Sequence, residues 1–186
     1  MVSLDQPRFM ILDQATTTGF ALWVPGSRPV TGAFTIPSTG RDVGAFLAEF
    51  EYWFEGVREQ WKINFVAFEL AFMRFNTHQL TGQKLFGLMA FIEYLCQRAG
   101  IKCVVVNNTD WKKHFTGKGG GKSKEMKSMV MLACIERGFA PKSQDEADAI
   151  AMMDYIAHIY ELPRDWPDGA LFNQGPEPKK EKANAR

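Results

Sequence analysis

Phe9-Met10-Ile11-Leu12-Asp13-Gln14-Ala15-Thr16-Thr17-Thr18-Gly19-Phe20-Ala21-Leu22-Trp23-Val24 sets two apolar runs around a polar turn. The first run, Arg8 to Leu12, stops at a carboxylate, Asp13. Gln14 to Gly19 has turn composition, and Phe20 to Val24 is apolar and aromatic until Pro25-Gly26. Val30 to Ile36 is a third β-prone run, ended by Pro37. Three such runs joined by short turns predict an antiparallel meander.

Beyond it the period changes. Val43, Phe46, Leu47, Phe50, Phe54, Val57 and Trp61 recur at helical spacing, predicting a helix over 41–61 that Ser38 or Thr39 would cap. Ile63 to Phe68 is a compact strand that again ends in a carboxylate, Glu69. A helix over 77–99 follows, with Gly100 where a helix C-terminus favours glycine. Ile101 to Val106 is β-branched and reads as a buried fifth strand. Asn107 to Lys122 is polar, aromatic and glycine-rich, and Ser123 to Gly138 is helical again. Ser143-Gln144-Asp145-Glu146 has the form of a capping box, opening a last helix to about Tyr160. The order βββαβαβ followed by helices predicts an α/β fold: a mixed five-stranded sheet, meander first and parallel strands after, flanked by helices. Residues 1–162 are expected to form one domain and 163–186 a Pro- and Lys-rich tail.

Composition narrows the function. Of 186 residues 46% are hydrophobic, enough for a core and unlike a disordered chain. The net charge is +1, so a nucleic-acid partner requires locally concentrated lysine. Cys96, Cys103 and Cys134 lack zinc-ligand spacing and read as buried free thiols. Nothing at the N-terminus resembles a signal peptide. Leu85 to Cys96 is too short to cross a bilayer and contains Glu93, so no membrane association and a cytoplasmic location are expected.

Asp13 and Glu69 end strand-like runs, while Asp145 and Asp148 share one face at the start of a helix. Singly, each reads as a turn residue or a helix-dipole partner. Should the two strands be neighbours and the helix cross their ends, the four would converge. Carboxylates held that close repel and require cations. Oxygen ligands favour Mg²⁺ or Mn²⁺, and two such ions suit phosphodiester hydrolysis.

These residues carry a resemblance. Ile11 to Ala21, with Asp13 ahead of Thr18-Gly19, resembles the first strand and turn of RuvC-type Holliday junction resolvases, in the RNase H-like superfamily. Phe68-Glu69-Leu70-Ala71-Phe72 resembles the family's Glu-x-x-Phe element. Asp145-Glu146-Ala147-Asp148-Ala149 is similar to its Asp-x-x-Asp-Ala helix, the most specific of the three. The resemblance implies an RNase H-like fold, a homodimer, Mg²⁺ with Mn²⁺ able to substitute, and endonucleolytic cutting of four-way DNA. The family includes a phage-encoded branch, which accepts a wider range of branched DNA, and the resemblance leaves open whether the chain falls within that branch. The resemblance makes Asp13, Glu69, Asp145 and Asp148 the catalytic metal ligands. Ala15 departs from the family, which usually has glycine in that turn.

Lys112, Lys113, Lys118, Lys122, Lys124 and Lys127 crowd one segment, with four glycines that let backbone approach phosphate. The segment resembles the family's lysine–glycine element, with Lys112 as its first lysine and Lys122 or Lys124 as its last. The alternative is a solvated loop. Gly121-Lys122-Ser123 lacks the context of a Walker A loop. Phe72 and Arg74, just after Glu69, could wedge or stack on unpaired bases, Phe72 matching the family's junction-contacting phenylalanine, while Phe75 reads as core. His114 stands among lysines and is expected to touch phosphate, whereas His78 and His158 read as ordinary helix residues. The helix over 77–99 has two apolar faces, one for the sheet and one for a two-fold interface or for later helices. Other readings are an RNase H-like nuclease for flaps or RNA–DNA hybrid, an actin/Hsp70-like nucleotide-binding fold, which needs two lobes, and a non-catalytic DNA-binding protein.

Overall fold

In β1 (Phe9–Asp13) every residue up to Leu12 is buried, because helices cover both faces of the sheet. Its side chains alternate between two cores. Phe9 and Ile11 join one, Met10 and Leu12 the other. The structure, a computed structural model, describes residues 6–70 and 78–169.

β1, β2 (Thr17–Trp23), β3 (Val30–Thr35), β4 (Phe65–Glu69) and β5 (Lys102–Val106) form a five-stranded sheet in the order β3-β2-β1-β4-β5. β1 pairs antiparallel with β2, and β2 with β3; β1 pairs parallel with β4, and β4 with β5. This is the RNase H-like arrangement. α1 (Val43–Trp61) and α2 (Gln79–Ala99) cover one face through Phe46, Phe50, Phe54, Leu88, Ile92 and Leu95. α3 (Asn108–Thr116), α4 (Ser123–Glu136) and α5 (Gln144–Ile159) cover the other through Trp111, Phe115, Val130, Ala133 and Ile150. Among the described residues no helix is long and apolar enough to cross a membrane.

Several local expectations are corrected. β2 starts at Thr17, so the turn shrinks to Gln14–Thr16. The Thr18 hydroxyl donates to the Ala15 carbonyl at 2.9 Å and closes that turn, and among the described residues Ala15 is not one that takes a positive φ. A glycine there is therefore not needed. α1 is capped by Asp42, whose carboxylate accepts from the Ala45 amide at 2.9 Å, rather than by Ser38 or Thr39. β5 was expected to be buried, but it is an edge strand, and Val105 stays 38% exposed. The first half of the glycine-rich segment is helical: Asn107 caps α3 through the Thr109 amide, and Trp111 and Phe115, one turn apart, are both buried.

The chain after α5 continues along the sheet's lower end. Pro163 accepts from the Gly26 amide at 2.7 Å. Trp166 is buried edge-on against Trp23 and Phe139, at 5.4 and 5.6 Å between ring centres. Residues 163–169 thus pack on the domain although their composition reads as tail.

Candidate active site

Register and parity bring the acids together. Asp13 and Glu69 end neighbouring parallel strands whose register runs Phe9 with Phe65 to Leu12 with Phe68. Asp13 shares its face with Phe9 and Ile11, and Glu69 with Phe65 and Ala67, so both point toward α5. Gly19 pairs with Asp13 on β2 and lies against the α5 N-terminus. A Cβ built on Gly19 falls inside van der Waals contact of the Asp145 carbonyl and 2.9 Å from the Glu146 amide nitrogen. Gly19 thus admits the helix turn that carries Asp145 and Asp148.

That turn is held from three directions. Ser143 accepts from the Glu146 amide at 3.1 Å, as a capping box requires. The Glu146 carboxylate does not return to Ser143. It takes the Thr31 hydroxyl of β3 at 2.7 Å and the Lys142 amide at 2.8 Å, and it is buried. Gln144, one turn ahead of Asp148, donates to its carboxylate at 2.7 Å.

α3 supplies the remaining groups. Asn108 donates to the Glu69 carboxylate, and Lys112 donates to the Asn108 carbonyl oxygen at 2.7 Å. Lys112, Lys127, Asn108, Gln144, Asp148 and the Gly119–Gly121 backbone line a cleft of about 340 Å³. The sequence reading placed Glu146 in a capping box and Gly19 in the first turn but gave neither its role at the site, and it assigned none to Asn108 or Gln144, although Gln144 stands one turn ahead of Asp148.

The electrostatics follow from burial. Burial pushes the Asp13 carboxyl well above the usual carboxylate range, and the charges of Glu69, Asp148 and Asp145 push it further. Burial raises Glu69, partly opposed by Lys112 and by a hydrogen bond shared with Asp13. Burial lifts Asp148 to about 6 against the pull of Gln144 and Lys112, with Glu69 pushing it up. Asp13 and Glu69 thus each favour the neutral form, burial being the largest cause for both.

Among the described residues, no set of three or more His, Cys, Asp or Glu already stands in a metal-holding arrangement. Glu69 accepts from Asn108 and Asp148 from Gln144. The donor chemistry nevertheless fits a hard divalent ion. The candidate ligands are carboxylates, and beside them the buried Gln14 side-chain oxygen has no partner among the described residues while its amide donates to the Glu69 carbonyl.

The other expected DNA contacts are dispersed. Lys113, Lys122 and Lys124 are exposed, and Lys118 pairs with Glu125 at 3.8 Å. None of these four lines the acidic cleft, whereas Lys127 does. Phe72, Arg74 and Phe75 lie outside the described residues. His114 is not free for phosphate: it bonds Asp154 at 2.9 Å and stacks on His158 at 4.5 Å. His78 caps α2 by accepting from the Leu80 amide.

No protein-family model and no curated protein matches the chain. Solved structures do. Thermus thermophilus RuvC in complex with Holliday junction substrate superposes with a TM-score of 0.63 at 15% identity, over 84% of this chain and 98% of that one. A second Thermus thermophilus RuvC structure gives 0.56 at 18% identity over the same shares. The yeast mitochondrial Holliday junction resolvase Ydc2 gives 0.57 at 9% identity, over 78% of this chain and 75% of that one. At these identities the likeness is one of fold: the chain has the RNase H-like fold that RuvC-type resolvases share.

Proposed function

We propose that this chain is a Mg²⁺-dependent endonuclease that cuts four-way or otherwise branched DNA. The carrying observation is the acidic end of the sheet, where Asp13 and Glu69 meet Asp148 without enough positive charge to neutralise them. Asp13, Glu69, Asp145 and Asp148 are the residues that would hold the metal. Bound Mg²⁺ would supply an activated water and stabilise the leaving 3′ oxygen.

The chain's own groups have separate tasks. Gln144 and Asn108 orient Asp148 and Glu69. Lys112 and Lys127 set positive charge at the rim, where a phosphate would enter the cleft. The glycine backbone on the same rim admits the sugar–phosphate chain closely. Phe72 and Arg74 are assigned to unpaired bases at the branch point, and Lys113, Lys118, Lys122 and Lys124 to flanking phosphate. A homodimer, offering two such sites to one junction, completes the reading, with Mn²⁺ able to replace Mg²⁺ and a cytoplasmic setting.

The test is cleavage of a labelled synthetic four-way junction beside linear duplex and flap DNA, with Mg²⁺, with Mn²⁺ and with chelator. Metal-dependent nicks confined to the junction support a resolvase. Cutting of every branched form widens the substrate. No cutting with either metal removes the proposal.

A further inference from the structure

Asp154 is fully buried in the middle of the fold, far along α5 from the acidic cleft. It is a carboxylate with more partners than neutralisation needs. Trp166 donates to it at 2.6 Å, His114 at 2.9 Å and Arg164 at 3.0 Å, and the Arg137 guanidinium stands 3.8 Å away. Arg164 and Trp166 come from the chain after α5, and Arg137 from the end of α4. Only His114 belongs to α3.

α3 is gripped a second time at the same end. Arg137 donates to the Phe115 carbonyl at 3.3 Å and lies over its ring at 4.0 Å. Tyr155 and His158, both on α5, flank the His114 ring. The other end of α3 carries Asn108, which meets Glu69, and the middle of the helix carries Lys112, which bonds Asn108 and lines the cleft. A helix this short moves as a rod, so tilting it at His114 displaces Asn108, roughly 9 Å along the axis. His114 is two residues from Lys112, about 200° around the helix, and bonds away from the cleft.

We propose that His114 and Asp154 form a positioning pair that locks α3 across α5 and thereby sets Asn108 against Glu69 and Lys112 in the acidic cleft. Its consequence for cutting rests on the nuclease reading; its geometry does not. His114 is a positioning residue, since it does not line the cleft and bonds Asp154 instead.

The experiment uses the full chain and three variants: His114→Ala, which removes the bond, His114→Gln, whose amide reaches Asp154, and His158→Ala, which removes only the stacked ring. Two readouts are taken: the side-chain amide resonance of ¹⁵N-labelled Asn108, and single-turnover cleavage of a four-way junction across Mg²⁺ concentration. His114→Ala is expected to move the Asn108 resonance toward its free position. It should slow cleavage ten- to a hundred-fold and raise the Mg²⁺ needed for half-maximal rate, with junction affinity within two-fold of the parent. His114→Gln is expected to restore both readouts, and His158→Ala to leave the Asn108 resonance in place. Should His114→Ala fail to fold, His114→Asn, whose amide stops short of Asp154, replaces it with the same expected losses. An unmoved Asn108 resonance in the folded Ala or Asn variant overturns the proposal, as does failure of His114→Gln to restore it. If the parent chain cuts no DNA the nuclease reading falls, while the Asn108 resonance still decides the positioning pair.

Discussion

Titrating the metal-free protein sets two carboxylates of α5 against each other, half-buried Asp148 and fully buried Asp154. Asp148 moves from an ordinary 3.8 up to about 6 on folding, chiefly through burial. Its native form therefore takes up a proton at a pH where the unfolded chain does not. Where the native state binds more protons, stability falls as pH rises. At about 1.4 kcal/mol per pH unit, Asp148 alone costs the native state on the order of 3 kcal/mol at pH 7.5, and Asp13 and Glu69 add in the same direction. Asp154 runs the other way. Burial would raise it, but the bonds from His114 and Trp166 and the Arg137 charge win and hold it at about 2. Its contribution, on the order of 2 kcal/mol, is present above pH 4 and lost as pH falls from about 4 to about 2. Urea unfolding in chelator from pH 2.5 to 8 should thus show a maximum between about pH 4 and 5, with decline on both sides. Mg²⁺ at a hundred times its dissociation constant should restore about 3 kcal/mol at pH 7.5 and much less at pH 5, where protons compete for the same oxygens. In Asp148→Asn the decline above pH 5 should shrink. A chelated parent protein whose stability is flat or rising from pH 5 to 7.5 would refute the claim that these carboxylates are buried without compensating charge.

Other perturbations probe the same site. Asp13→Asn, Glu69→Gln and Asp148→Asn should each lower junction cleavage at least a thousand-fold while leaving junction binding in Ca²⁺ intact; near-normal cutting by any one removes that residue from the metal set. Gly19→Ala forces the first turn of α5 to retreat on the order of 1 Å or more, so cleavage should fall about a hundred-fold and stability by about 1–3 kcal/mol in thermal unfolding. Normal cleavage by that variant would mean that Asp145 need not sit where Gly19 admits it. Lys112→Ala with Lys127→Ala should reduce the slope of log affinity against log salt by about 2, and an unchanged slope would place the phosphate contacts elsewhere.

The sheet was legible because its apolar runs are short, bounded by Pro, Gly or a carboxylate, and each matches a strand within three residues. The adjacency of β1 and β4 was legible only as a condition on the four acids, and the register meets it for Asp13 and Glu69. α3 was hidden because glycines and lysines dominate the composition of its segment, although Asn107, Trp111 and Phe115 carry a cap and a one-turn apolar pair. That misreading moved Lys112 from the helix that aims it onto a loop. Trp166 was hidden by its neighbours, since Pro163 and Pro167 read as tail punctuation while the ring itself completes the core. Asp154 was beyond sequence reading: its partners lie 10, 12 and 40 residues away, and no local spacing announces them.

α5 shows why burial alone does not mark a functional acid. Ala147, Ala149, Ala151 and Ala157 keep the helix slim enough to lie directly on the sheet, and it is buried nearly all round. Such a helix tolerates an ionised group only where charge or hydrogen bonds replace water. Asp154 receives both in excess, and its affinity for protons drops. Asp148, two turns earlier, has Gln144 and the reach of two lysines, yet its affinity for protons rises because partial burial strips its hydration and, to a lesser degree, because Glu69 stands near it. The same residue type on the same helix is satisfied at one end and left wanting positive charge at the other. A fold that can provide three cationic or polar donors to Asp154 has the means to neutralise Asp148, and at the acidic end it places carboxylates from β1 and β4 there instead. A shortage of positive charge that persists in one place while being met in another is the physical ground on which a divalent cation is proposed for Asp13, Glu69 and Asp148.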